Sequence, residues 1–101
     1  MSYPLKVIIL NIVEIFIEKL SPEKEVELDA SITAIRYGNF NTVYIKTLKG
    51  GIKELIIKRS RFIFFIKNET IYFVSAFMKK TNKTPKQEIK NAEKIYKLIS
   101  S

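Results

Sequence analysis

Residues 51–78, GIKELIIKRSRFIFFIKNETIYFVSAFM, decide the fold of this 101-residue chain. The stretch contains three short runs rich in isoleucine, phenylalanine, tyrosine and valine, which is typical of β-strands. We expect the first two strands to meet in a tight loop centred on Arg59 and Ser60. The next loop is centred on Asn68 and Glu69, because asparagine tolerates the positive φ of a two-residue turn. The stretch therefore predicts an antiparallel meander.

Pairing residues across these two loops divides the meander into two faces. One face is apolar and is predicted to form the core: Leu55, Ile57, Phe62, Phe64, Ile66, Ile71, Phe73 and Phe77. The other face is mixed in character: Ile52, Ile56, Ile63, Phe65 and Val74 with Glu54, Lys58, Arg61 and Tyr72. Its polar members cannot all be buried without partners. This mixed face is the predicted working surface.

Two helices are predicted before the meander. YPLKVIIL indicates a first strand, and residues 11–20 indicate a helix with an apolar stripe: Ile12, Ile15, Phe16 and Leu20. Ser21 and Pro22 predict the start of a second helix that stops at Gly38. The stripe of this second helix is Val26, Ala30, Thr33 and Tyr37, with Leu28, Ile32 and Ile35 beside it. Residues 39–50 are expected to be irregular.

A C-terminal helix follows the meander, with Thr84 as its N-cap, Pro85 at its first position and Gln87 completing a capping box. Its apolar stripe is Ile89, Ala92, Tyr96 and Ile99. The predicted fold class is α+β: a small twisted antiparallel sheet with two N-terminal helices packed on it and a C-terminal helix. We expect one domain over residues 1–101, since a chain of this length supports a single core.

The composition excludes several kinds of chemistry. The chain has no cysteine and no histidine, which rules out disulfides, a Ser-His pair and imidazole or thiolate metal ligands. The absence of cysteine fits a reducing compartment, so a cytoplasmic location is expected. The apolar run near the N-terminus is shorter than the ~20 residues of a membrane-spanning helix. No membrane association is therefore expected.

Positive charge is concentrated in the second half of the chain. Residues 1–50 hold six basic and six acidic residues, whereas residues 51–101 hold twelve and four, which accounts for the whole net charge of +8. Such asymmetry indicates a basic face and an acidic partner, either nucleic acid or an acidic protein segment. The alternative is a lysine-rich solvated surface without a specific partner.

Two groups of cations could form one anion site. In the predicted register Lys58 and Arg61 lie opposite each other, and an anion would relieve their repulsion; alternatively both lie at a solvated hairpin tip. Basic residues also occur in and around the segment between the last strand and the last helix: Arg59, Lys79, Lys80, Lys83, Lys86 and Lys90. The N-terminus of the helix favours anions. The alternative for this segment is a solvated loop.

The stretches GGIKELIIK, SRFIFFIK and FVSAFMKKTNKTPKQEIKNAEK, in this order and spacing, resemble RelE/ParE-superfamily toxins of the HigB and phage-derived branch. That branch shows a glycine-rich entry to an E-L-R strand and an arginine in the next aromatic strand. The pattern G-F-x-K-K-x-x-K-T-P-x-x-E-I-x-x-A follows. The resemblance covers about half the chain, and KKTNKTPKQEIKNA is its most specific part. The two helices ending near Gly38 fit the layout of the family.

The resemblance implies a toxin of a type II toxin-antitoxin pair that cleaves messenger RNA on the translating ribosome without a metal or other cofactor. Its partners would be the messenger RNA, the ribosome and a cognate antitoxin, a helix-turn-helix protein that silences it. Glu54 matches the glutamate of E-L-R, Arg61 the strand arginine, and Phe77 the aromatic residue before the lysines. Lys79, Lys80, Lys83, Thr84 and Pro85 match the loop and helix start. Three departures stand out: Ile56 replaces the arginine of E-L-R, Ser75 lies near the position of a frequent histidine, and the hairpin between the strands is short.

Cleavage by a ribose 2′-hydroxyl requires a base, stabilisation of the phosphorane charge and an acid for the leaving oxygen. The predicted catalytic residues are Arg61, Lys58, Lys79 and Lys80, and the predicted RNA-binding residues are Arg59, Lys83, Lys86 and Tyr72. Lysine and tyrosine ordinarily titrate near ~10, so either needs neighbouring cations to act as a base. Tyr72 could instead belong to the core. The alternatives to a nuclease are a ParE-like poison that binds a protein target and a degenerate phage-derived binding protein.

Overall fold

The computed structural model describes residues 2–99, so residues 1, 100 and 101 of the predicted domain lie outside the described part. The elements in chain order are β1 (Lys6–Ile9), α1 (Asn11–Glu18), α2 (Pro22–Arg36), a 3-10 turn (Phe40–Thr42), β2 (Ile45–Lys49), β3 (Ile52–Ile57), β4 (Ser60–Lys67), β5 (Thr70–Met78) and α3 (Lys86–Leu98). The α+β class is therefore confirmed. Among these residues no helix has the length and apolarity needed to cross a membrane.

The sheet has five strands in the order β1-β5-β4-β3-β2 and is mixed. The predicted meander is confirmed, because β3, β4 and β5 pair antiparallel. The predicted antiparallel sheet is found in β2 to β5, and one parallel strand is added to it, since β1 pairs parallel to β5 with Val7 opposite Ile71. The prediction that residues 39–50 are irregular is wrong for β2, which pairs with β3. The backbone hydrogen bonds to the edge of β3 keep residues 45–49 extended, although the two lysines of this segment have a low β-propensity of their own.

The predicted position is correct for one of the two hairpin turns and one residue off for the other. Asn68 and Glu69 form the second turn with φ of 53° and 58°, as predicted. The first turn is Lys58-Arg59, one position earlier than predicted, because Ile57 pairs with Ser60. Ser60 is buried, and its hydroxyl contacts the Met78 sulfur at 3.4 Å. Moving the centre of a hairpin by one residue conserves the division of faces but changes which residues are opposite each other.

Both faces of the sheet are covered by helices. The face toward α1 and α2 carries the larger core cluster: Leu5, Val13, Leu28, Ile35, Leu55, Ile57, Phe62, Phe64, Ile71 and Phe73. The face toward α3 carries a smaller one: Ile52, Ile63, Phe65, Val74 and Ala92. Phe77 was expected in the first cluster and lies in the second. A register shift after Ile63, which pairs with Ser75 while Phe64 pairs with Phe73, moves Phe77 to the other face.

In α1 and α2 the fully buried residues lie outside the predicted stripes, whereas Ala92 of the predicted α3 stripe is buried as expected. In α1 the buried residue is Val13, whereas Ile12 is 66% exposed. In α2 Leu28 and Ile35 are buried, whereas Val26 and Tyr37 of the predicted stripe are exposed. Each short helix contains enough apolar residues for two candidate stripes, and the sheet it packs against selects one. The limits of α2 are close to those predicted: Ser21 accepts the Lys24 N-H, and Gly38 follows the helix with φ 77°.

Candidate functional site

A cleft of about 310 Å³ lies where the β3–β4 turn meets the end of β5. It is lined by Arg59, Arg61, Lys79, Lys80, Thr81 and Asn82. Four of these six side chains are cationic and the other two are small and polar. Such a lining suits an anion, because opposite charge and hydrogen-bond donors are offered from several sides. We call it the cationic cleft.

Strand pairing brings the two sides of the cleft together. Ser60 pairs with Met78, so the next residues outward, Arg59 and Lys79, meet at the end of the β4–β5 ladder. The Lys79 N-H donates to the Arg59 carbonyl at 2.8 Å, and Arg59 Nη2 donates to the Lys79 carbonyl at 3.2 Å. The segment that begins at Lys79 is therefore fixed to the hairpin turn from its first residue.

Arg61 lies on β4 between Ile56 of β3 and Phe77 of β5. Its side chain is 13% exposed, and Nη1 donates to the backbone carbonyls of Lys58 and Ser60. The guanidinium is therefore held against the turn and is not a freely solvated cation. The predicted register placed Lys58 opposite Arg61, but in the structure Ile56 has that position. Lys58 and Arg61 are therefore not a cross-strand pair and do not repel each other as one.

Glu54 is fully buried beneath the cleft. Its Oε2 accepts the Thr84 hydroxyl at 2.6 Å, and its Oε1 lies 3.9 Å from Arg61 Nε. Among the described residues, Oε1 and Nε have no other polar partner. The pair is a long, buried charge contact and not a direct hydrogen bond. Sequence reasoning places Glu54 on the same predicted face as Arg61 and matches it to the E-L-R glutamate, but does not include Glu54 among the predicted site residues.

The start of α3 corrects the predicted capping box. Thr84 is not the N-cap residue of α3, and its hydroxyl donates to Glu54. Pro85 is the N-cap residue and α3 begins at Lys86. Gln87 donates its side-chain amide to Asn91 Oδ1 at 2.9 Å instead of reaching back to residue 84. The Thr84 hydroxyl is therefore bonded to a residue of β3, and Thr84 lies before the N-cap residue of α3.

The other predicted site residues are distributed around the cleft. Lys58, Lys83 and Lys86 are exposed and do not line it, although Lys58 and Lys83 directly adjoin the lining residues Arg59 and Asn82 in the chain. Tyr72 is separated from the cleft, because it lies five positions before Phe77 on β5, about 17 Å at 3.4 Å per residue. Its ring stacks on Phe65 at 5.4 Å in the α3-side cluster. Tyr72 therefore does not line the cationic cleft, and its packing supports its alternative role in the core.

Ser75, near the position where the resembled family often has histidine, ties α3 to the sheet. Its hydroxyl donates to Glu88 Oε1 at 2.5 Å. Thr81 and Asn82, which do line the cleft, were not singled out by the sequence. Only their place between Lys80 and Lys83 could have indicated them. The Thr81 hydroxyl donates to the Lys83 carbonyl at 3.0 Å, which shapes the loop.

Comparison with known proteins gives a family and a fold. A family model described as "Phage derived protein Gp49-like (DUF891)" matches residues 15–97. No curated protein matches the chain. A chain in the crystal structure of the toxin-antitoxin complex RelBE2 from Mycobacterium tuberculosis superposes with a TM-score of 0.60. The superposition covers 80% of this chain and 98% of that chain at 14% sequence identity. At this identity the likeness concerns the fold, which is RelE-like.

Proposed function

Because the chain belongs to the phage-derived Gp49-like protein family and has a RelE-like fold, we propose that it is the toxin of a type II toxin-antitoxin pair. We place it in the HigB-like branch, on the residues 79–92 that resemble that branch. Its proposed activity is metal-independent cleavage of messenger RNA, on the translating ribosome and hence in the cytoplasm. The sheet and the three helices are proposed to act as one functional domain.

The cationic cleft is the observation that carries this proposal. Arg59, Arg61, Lys79 and Lys80 converge there from two segments twenty residues apart. A phosphodiester passing into a phosphorane gains negative charge, and fixed cations around it stabilise that charge more than the ground state. Arg61 can offer its remaining nitrogen, Nη2, while the lysines act as point charges. Lys58, Lys83 and Lys86, which are exposed, are proposed to bind the RNA strand beyond the cleft.

A second candidate function is a binding poison without nuclease activity. It is favoured by Ile56, which lies directly opposite Arg61 at the position where the resembled family has its E-L-R arginine. One cation next to Arg61 is therefore missing. Mapping RNA ends in cells after induction separates the two candidates, since the nuclease produces new cleavage ends in messenger RNA and the binding poison produces none.

Expression of the chain alone is expected to slow bacterial growth, and co-expression of its antitoxin is expected to restore it. The antitoxin is sought as a small helix-turn-helix protein encoded next to the toxin. Growth curves with and without inducer measure the effect, with soluble protein confirmed by immunoblot. Unchanged growth at confirmed soluble expression would contradict an active toxin.

Replacing both Lys79 and Lys80 with alanine is expected to weaken binding to single-stranded RNA and to reduce its salt dependence. Each lost phosphate contact lowers the slope of log K against log salt by roughly 0.7, so the double variant should lose about 1.4. Binding is measured on 2′-O-methyl RNA, which cannot be cleaved through its 2′-hydroxyl. The matched control is Lys94→Ala with Lys97→Ala, which removes the same charge near the C-terminal end of α3. An equal loss of slope in the control would show that only net charge matters.

A further inference from the structure

The buried carboxylate of Glu54 needs an explanation beyond stability. It is 0% exposed and lies among apolar strand residues such as Ile52 and Leu55. Removing a charge from water is costly, and well-packed apolar residues at such positions are often as stable or more stable. The reason for a buried carboxylate at this position must therefore be sought in the side chains that it contacts.

Glu54 contacts both sides of the cationic cleft. Through Oε2 it holds Thr84, the residue that ends the loop of residues 79–84. Through Oε1 it faces Arg61 Nε. The first residue of the same loop, Lys79, is bonded to Arg59. The loop is thus fixed at both ends to the β3–β4 hairpin, at one end by Arg59 and at the other by Glu54.

The contacts of Arg61 show what Glu54 contributes to its orientation. Nη1 is held by the carbonyls of Lys58 and Ser60, and Nε faces the Glu54 carboxylate. These contacts occupy two of the three guanidinium nitrogens and leave Nη2 for a ligand. Arg61 has several rotatable bonds, so without a charge on its inner side the fork could turn away from the cleft.

We propose that Glu54 is a positioning residue that sets the spacing between Arg61 and the 79–84 loop. Its carboxylate orients the Arg61 fork and anchors Thr84, so that Arg61 and the loop lysines contact the same phosphate. This role rests on the proposed nuclease function. Glu54 itself is buried and does not touch RNA.

Thr84→Val and Glu54→Gln test the two contacts separately. Valine has nearly the shape of threonine without the hydroxyl, so the loop loses its anchor. Glutamine still accepts the Thr84 hydroxyl but loses the charge that faces Arg61. Each variant is expected to lower kcat for RNA cleavage about 10-fold, the loss that a displaced transition-state contact produces, with KM within about 3-fold. Thr84→Ser, which restores the hydroxyl, should recover at least half of the parental kcat.

The sign of the Glu54→Gln effect distinguishes positioning from simple electrostatics. The substitution makes the cleft more positive, so an effect of net charge alone would tighten RNA binding and leave kcat unchanged or raised. A fall in kcat despite the added positive charge supports positioning. Parental or faster cleavage by both Glu54→Gln and Thr84→Val would overturn it, provided that the parent cleaves RNA.

A measurement that uses no RNA tests the positioning role of Glu54 independently of the nuclease proposal. In ¹⁵N-labelled protein, hydrogen exchange of the Arg61 Nε-H is expected to be about 10-fold faster in Glu54→Gln than in the parent, because the burial and charge contact that protect it are disturbed. The Lys94→Ala variant, away from the cleft, should exchange at the parental rate. If the parent shows no RNA cleavage while this difference is present, the nuclease proposal fails and Glu54 still holds Arg61. An unchanged exchange rate in Glu54→Gln would overturn the positioning role.

Discussion

Arg61→Lys is expected to lower the rate of messenger RNA cleavage at least about 100-fold, the loss produced by removing one preorganised donor to a developing oxyanion. Lysine keeps a positive charge near Glu54 but cannot hold the Lys58 and Ser60 carbonyls and a phosphate oxygen through one rigid fork. Because the charge near Glu54 remains, the melting temperature should fall by only a few degrees. The measurement is cleavage of ribosome-bound messenger RNA by purified protein, beside thermal melting.

Arg61→Ala is expected to remove cleavage and also to destabilise the fold. The sequence allowed Arg61 to be a solvated cation whose loss would hardly affect stability, but its side chain is only 13% exposed. Alanine would leave Glu54 with a buried charge and Thr84 as its remaining bonded partner. Removing one partner of a buried pair costs about 3 kcal/mol. A drop of more than about 10 °C in melting temperature should follow in a domain of this size.

The matched control is Arg36→Lys. Arg36 lies at the end of α2, where its Nε donates to the Leu5 carbonyl at 2.9 Å, away from the cationic cleft. This variant makes the same exchange of side chains and should cleave at the parental rate. If Arg61→Lys also cleaves at the parental rate, the phosphate contacts lie elsewhere on the basic half of the chain.

Phe64→Ala is expected to have the largest effect on stability, a loss of about 3–5 kcal/mol. Phe64 is fully buried in the central strand β4, and its ring lies 5.4 Å from that of Phe73 on β5. Alanine would remove this aromatic contact and leave a cavity between the sheet and the N-terminal helices. Since domains of this kind are stable by about 5–15 kcal/mol, the loss is a large part of the total. Urea denaturation followed by circular dichroism measures it.

The control for Phe64→Ala is Ile12→Ala, because the sequence and the structure differ on whether Ile12 is buried. The predicted stripe of α1 places Ile12 in the core, whereas the structure leaves it 66% exposed and buries its neighbour Val13. Exposed positions usually change stability by less than about 0.5 kcal/mol when substituted. A loss above about 2 kcal/mol in Ile12→Ala would support the stripe predicted from the sequence and contradict the packing of α1.

The candidate site could be predicted from the sequence as a set of cations but not as a geometry. Arg61, Lys79 and Lys80 were identified from charge, spacing and family resemblance, and the structure brings them into one cleft. The sequence placed Glu54 on the same face as Arg61, but it did not indicate that Glu54 is fully buried or that it accepts the Thr84 hydroxyl. Glu54 and Thr84 are thirty residues apart in the chain, so their contact depends on how distant segments pack. Local motifs contain no information about such a distant partner.

The sequence by itself determined those features that depend on interactions between residues close together in the chain. The Asn68-Glu69 turn, the limits of α2 and the three strands of the meander belong here, because turn conformation, capping and strand propensity act locally. Only the tertiary structure decided the parallel pairing of β1 with β5, the inclusion of β2, and the register shift that moves Phe77 to the face of α3. The same holds for the helix faces that become buried. Each of these depends on which surfaces meet, since burial and backbone pairing are gained only between segments distant in the chain.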